Sequence, residues 1–112
     1  MRYEMGLYNK PFQSIQSGKK VYEVRLYKKR QLINKGDEIV FTNLTTKEMM
    51  AVKVTEIKRY ENFQAMYKQI DKKLLDCEND RLEEMLESTY KIYTKEQEKK
   101  WGTVAIGIEL IK

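Results

Sequence analysis

A chain of 112 residues with a formal net charge of +5, a single cysteine and no histidine restricts its own chemistry before any element is read. Without histidine it lacks the usual general base at neutral pH and the commonest zinc ligand, so no metal or cofactor is expected and any catalysis falls to Lys, Glu, Asp, Tyr, Ser or Thr. Cys77 cannot close an internal disulfide, no run reaches the roughly eighteen apolar residues of a membrane span, and no basic-then-apolar leader precedes the first element; these point to a cytoplasmic protein that does not enter a membrane.

A hydrophobic fraction of 41%, with eight Tyr, three Phe and one Trp, can fill one core, and no linker or repeat divides the sequence. Residues 1–112 therefore read as a single domain. In chain order, Met1 to Leu7 reads as a short strand. "PFQSIQSG" places Phe12 and Ile15 three apart between Pro11 and Gly18, the form of one or two helical turns. Val21 to Leu26 is a strand. A turn at Lys35-Gly36-Asp37 precedes a strand from Glu38 to Thr42, and Met49 to Tyr60 is a long strand whose alternation slips near Glu56, the mark of a bulge. Asn62-Phe63 opens a short helix with Phe63, Met66, Tyr67 and Ile70 at helical spacing. Asp80 is the expected N-cap of the next helix, where Glu83 and Glu84 complement the dipole and Leu82, Met85, Leu86 and Thr89 share a face. "TKEQ" is a capping box closed by Gly102, and "TVAIGIELI" is a buried last strand. Five or six short, mostly antiparallel strands with short helices at the ends predict an α+β fold, a small partly open barrel.

The stretch "SGKKVYEVR" holds the chemistry. On a straight strand Lys20, Tyr22 and Val24 face one way, and Lys19, Val21, Glu23 and Arg25 the other. Lys20 and Glu23 meet only if Gly18 turns the chain so that Lys20 sits before the strand proper; both would then line the mouth of a cleft. Such a lysine is a base if desolvated, but a neighbouring glutamate stabilises its cation, which favours a structural or ligand-anchoring pair over proton transfer. Arg25 offers a rigid fork to phosphate or a base carbonyl, and Glu23 an acceptor for an exocyclic amine such as that of cytosine. The loop cluster Lys28, Lys29 and Arg30 suits phosphate contacts. Tyr8 and Trp101 are candidates for stacking a base, set against the commoner role of such residues in a core. The positive charge fits RNA, or equally a lysine-rich surface.

Gly18, Lys20, Glu23 and Arg25 also form GxKxxExR. With "GDEIVF" eleven residues on, the preceding "PFQSIQSG" and the terminal "YKIYTKEQEKKWGTVAIGIEL", this resembles the ASCH superfamily of PUA-like β-barrels over nearly the whole chain. The resemblance implies a module that binds RNA or a modified nucleoside. It also lies near a branch of small bacterial amidohydrolases that deacetylate cytidine acetylated on its exocyclic amine. Lys20 matches that branch's motif lysine, and Glu78, in a Glu-Asn pair ahead of the long helix, its acidic residue. Glu23 stands where the branch has a nucleophilic threonine, so an acyl-threonine route does not carry over. The alternative to a binding module is thus a hydrolase with Lys20 as base, Glu78 as acid and Glu23 orienting a water; a ribonuclease is a third reading.

Overall fold

Alternation, turn chemistry and capping together lay out the elements, and a computed structural model describes residues 1–27 and 33–111. Five strands run β1 (Arg2–Leu7), β2 (Tyr22–Leu26), β3 (Glu38–Asn43), β4 (Met49–Tyr60) and β5 (Thr103–Leu110). Four short helices, α1 (Asn9–Gln16), α2 (Phe63–Gln69), α3 (Leu82–Tyr90) and α4 (Lys95–Trp101), and a 3-10 turn at Lys72–Leu74 complete the described residues. None of these helices is long and apolar enough to cross a membrane.

The strands form one sheet in the order β1-β3-β4-β5-β2. Three of its four pairings are antiparallel; β1 alone lies parallel to its neighbour, β3. The sheet curls into a half-barrel, so its two end strands, β1 and β2, become the two sides of an open seam. Across that seam Arg25 Nη2 donates to the Gly6 carbonyl at 2.8 Å.

Both faces of the sheet are covered, which explains why β5 is buried from Thr103 through Ile108. Val104, Ile106 and Ile108 join a cluster with Met5, Phe12, Ile15 and Phe41, and Ala105 joins a second cluster of Phe63, Met66, Leu75 and Met85. Alternate residues of one strand thus serve opposite faces. The long strand β4 follows the same rule until its register shifts between Val54 and Glu56, leaving Thr55 as the inserted residue and re-aiming Ile57 inward. The bulge presses on β5: a Cβ at Gly107 would lie 2.7 Å from Thr55 Oγ1 and 2.8 Å from Glu56 Cγ, so only glycine fits there.

Helix α4 has the expected capping box, with Thr94 Oγ1 accepting from Gln97 N at 3.1 Å and Gln97 Oε1 accepting from Thr94 N at 2.9 Å. Asn62 caps α2 by accepting from Ala65 N. Two helix starts differ from expectation, and the strand ends shift by at most one residue. Helix α1 starts at Asn9, ahead of Pro11, because first-turn amides need no intrahelical acceptor and so tolerate a proline. Helix α3 starts one residue later than an Asp80 cap requires: Arg81 is the N-cap, and the Glu84 carboxylate takes its backbone N–H at 3.0 Å.

Candidate functional site

The polar stretch ahead of β2 turns at Gly18, whose φ of +83° is the left-handed region glycine favours. Lys20 then pairs with Leu75 in an isolated bridge, before the strand begins at Tyr22. This offset brings Lys20 Nζ to 3.3 Å from Glu23 Oε1, as the turn at Gly18 requires. Arg25 Nε reaches Glu23 Oε2 at 2.9 Å. Each carboxylate oxygen therefore faces one cation, and Glu23 itself is only 4% exposed. Cross-strand partners share a face, and Glu23 lies opposite Ile106 and Arg25 opposite Val104. The charges thus point to the apolar face of the sheet, at its seam, and not to open water.

A cavity of about 340 Å3 opens above this triad. Glu23, Lys20 and Arg25 form its floor. The end of β1 with Tyr8 and Leu44 forms one wall, and Thr89, Ile92 and Tyr93, with Tyr67 of α2, the other. Tyr8, Leu44 and Ile92 stay exposed and give the mouth an apolar rim. The tyrosines in the wall are held from behind by Phe63, which stacks on Tyr67 at 6.2 Å and Tyr93 at 5.6 Å between ring centroids. Burial pushes the Tyr67 phenol up to about 12; its hydrogen bond with Thr89 Oγ1 opposes the shift, and Cys77, Tyr93 and Glu23 add to it. Burial also raises Tyr93, with Arg25 opposing and Glu23 and Tyr8 adding. Both tyrosines are neutral donors at physiological pH.

Not every expected residue joins this cavity. Glu78 sits exposed in the turn before α3 and is not among the cavity's lining residues. Trp101 packs against the second core cluster with Lys100 over its ring, also away from the cavity. Lys28, Lys29 and Arg30 lie outside the described residues. Tyr67, Thr89 and Tyr93 were not singled out from sequence for the site, because helical spacing marks the first two as core. The available signal was the choice of Tyr over Phe, since a buried tyrosine keeps a polar tip that needs a partner or a wet edge. Among the described residues no group of three or more His, Cys, Asp or Glu could hold a metal ion.

The raised phenols carry a stability consequence. A tyrosine near 10 when unfolded and near 12 when folded stabilises the fold fully below pH 10, and loses that contribution as pH climbs from 10 through 12. Tyr90 behaves likewise, raised to about 12 by burial and by its hydrogen bond to Glu98. Tyr67→Phe is expected to be less stable than the unmodified protein by about 1 kcal/mol at pH 8, from the lost bond to Thr89. That gap should narrow between pH 10 and 12 in thermal melts followed by circular dichroism. A constant gap would show that Tyr67 titrates normally.

A curled five-strand half-barrel with helices at its ends and a polar floor at its seam is the α+β architecture of PUA-like domains. The chain belongs to the ASCH domain family, whose model matches residues 5–112. It is similar to the crystal structure of hypothetical protein PH0355, at 37% identity and a TM-score of 0.87, covering 99% of this chain and 100% of that one. The solution structure of protein PF0455 from Pyrococcus furiosus is 33% identical with a TM-score of 0.76, covering 100% and 99%. An ASCH domain from Lactobacillus crispatus shares the fold at 16% identity and a TM-score of 0.59, covering 97% of this chain and 79% of that one. No curated protein matches.

Proposed function

We propose that the protein is a recognition module for RNA or a modified nucleoside, taking one base into the seam cavity. The observation that carries this reading is the buried Glu23 carboxylate clamped between Lys20 and Arg25 beneath tyrosine walls. Its volume of about 340 Å3 falls in the range of about 300–1,000 Å3 of small-ligand sites. Each Glu23 oxygen has a second lone pair beyond the one facing its cation, and can accept from an exocyclic amine such as that of cytosine. Lys20 and Arg25 retain donors for a base carbonyl or a phosphate, and Tyr8 at the mouth offers an exposed ring for stacking.

The two cations on Glu23 favour recognition over turnover. Both carboxylate oxygens are already engaged, one by Lys20 Nζ at 3.3 Å and the other by Arg25 Nε at 2.9 Å, the arrangement of an anchoring ion-pair network. The hydrolase reading needs an acid opposite Lys20, and Glu78 is exposed and off the cavity lining.

Calorimetric titration with short single-stranded RNA tests the proposal. Binding is expected at low salt, falling steeply as salt is added, and Lys20→Ala should weaken it about tenfold or more, the cost of a charged donor. Absence of RNA and nucleoside binding at low salt would sink the reading. Incubation with acetylated cytidine, followed by absorbance, separates the alternative: no turnover is expected. Turnover that disappears in Lys20→Ala, or that rises in Glu23→Thr, would make the protein a hydrolase instead.

A further inference from the structure

Arg25 belongs to two cavities at once. Besides the floor of the seam cavity, it lines a second one of about 520 Å3. The floor of this second cavity is apolar, built from Met5, Ile57, Val104 and Ile106. Its other walls carry Tyr27, Lys35 and Arg59. Arg59 lies flat enough over Tyr27 to bring its guanidinium carbon to 3.7 Å from the ring centroid. Three cations, Arg25, Lys35 and Arg59, face a single lining carboxylate, Glu56. That carboxylate is already engaged by the Tyr22 hydroxyl and by Lys58 at 3.3 Å, and its pKa is held low first by the Tyr22 hydrogen bond, then by Lys58. Arg59 has no carboxylate partner among the described residues. Arg25 uses two of its five N–H donors, on Glu23 and Gly6, and the others have no partner among the described residues.

We infer that the second cavity is a neighbouring-nucleotide subsite, so that the ligand is a dinucleotide step of single-stranded RNA with its linking phosphate on Arg25. This rests on the seam cavity taking a base. Its own support is the pairing of unspent positive charge with a stacking surface in a cavity that shares Arg25 with the first. Unpaired RNA bases stack on aromatic rings and on guanidinium planes alike, and the Arg59–Tyr27 stack offers both. Arg25 lines both cavities, with fork donors left to meet a phosphate that joins two such bases. The apolar floor then covers the edge of the second base without reading it, which makes this subsite tolerant of sequence while Glu23 reads the first.

The test is calorimetric titration of the full chain with cytidine, with cytidine 3′- and 5′-monophosphates, and with cytidine-uridine dinucleotides of both polarities. One dinucleotide polarity should bind about tenfold tighter than cytidine, with the matching monophosphate between them. Arg59→Ala, at an exposed position, should remove most of the dinucleotide's advantage and leave cytidine affinity unchanged. Tyr27→Ala should do the same if it folds, and Arg59→Ala keeps the test decisive if it does not. Dinucleotides that bind no tighter than cytidine overturn the inference and leave the single-base reading intact. So does a gain wholly accounted for by the monophosphate, which would make the cavity an anion site alone. Loss of cytidine binding in Arg59→Ala would also overturn it. Failure of every probe to bind unmodified protein overturns both readings.

Discussion

Glu23→Ala is expected to lower stability by about 2–3 kcal/mol and to abolish measurable nucleoside binding. Removing one partner of a buried ion pair costs about 3–5 kcal/mol when the charge left behind cannot reach water. Here the side chains of Lys20 and Arg25 keep 16% and 23% exposure, so each regains part of its hydration and the cost falls to the lower figure. The melting temperature of a chain of this size should drop by about 10 °C. Arg25 also loses the acceptor that orients it, so its bond to the Gly6 carbonyl, which spans the seam, should loosen as well. Glu23→Gln separates the effects. Its amide keeps one acceptor oxygen and nearly the same volume, so the stability loss should be about 1 kcal/mol. Binding of a base that donates an amine should still weaken, because a neutral oxygen is a poorer acceptor than a carboxylate. Urea denaturation and calorimetry measure both quantities. A Glu23→Ala variant within about 0.5 kcal/mol of the unmodified protein would mean that the triad's two ion pairs have no structural consequence.

Legibility differs by kind of interaction. The bulge at Thr55 was readable because a period-2 pattern cannot slip without inserting a residue, and β4 shows the slip in its own side chains. The Thr94–Gln97 box was readable because both partners lie within four residues. The meeting of Lys20 and Glu23 was readable only as a condition, a turn at Gly18 that sets Lys20 before the strand, and the structure meets it. Harder were a choice between neighbouring caps and a pairing between strands distant in sequence. Asp80 is as good a cap as any by type, yet Glu84 took the Arg81 amide and moved the helix start. The parallel pairing of β1 with β3 has no local signature, since it depends on α1 and β2 intervening in the chain. Of the cavity, the floor was legible, because charge inside a strand demands a reason. Its walls were not, because Tyr67 and Thr89 fit the core stripe of a helix as well as the lining of a pocket. Glu78 was proposed from family spacing alone, and the fold gives that spacing an exposed turn.

The floor and walls are linked through packing, which gives β2 a reason to be both charged and buried. An edge strand with bare backbone invites pairing with another chain. Here the inward charges at Glu23 and Arg25 and the side-chain bridge to Gly6 occupy the seam, so a third strand cannot slide in without breaking a buried ion pair. The same feature that protects the edge makes a polar cavity, and the second core cluster determines how wide it stays.

That dependence predicts the largest stability effect in the molecule. Phe63 is fully buried, stacks on Tyr67 and Tyr93, and meets Tyr90 edge-on with centroids 6.3 Å apart at 81°. Its backbone N–H is held by the buried Glu98 carboxylate at 2.8 Å, so the ring cannot shift to follow its neighbours. Phe63→Ala should cost about 3–5 kcal/mol, from lost burial and from a void those three tyrosines cannot fill without leaving their own partners. Much of the protein could then be unfolded at 37 °C, so the informative variant is Phe63→Leu, expected to lose about 1–2 kcal/mol and to fold. With no ring behind them, Tyr67 and Tyr93 gain freedom on the cavity wall, and nucleoside affinity should fall several-fold although Phe63 itself never lines the cavity. Stability loss in Phe63→Leu with unchanged affinity would show that the tyrosine wall is not part of the binding surface, and would confine recognition to Lys20, Glu23, Arg25 and the exposed ring of Tyr8.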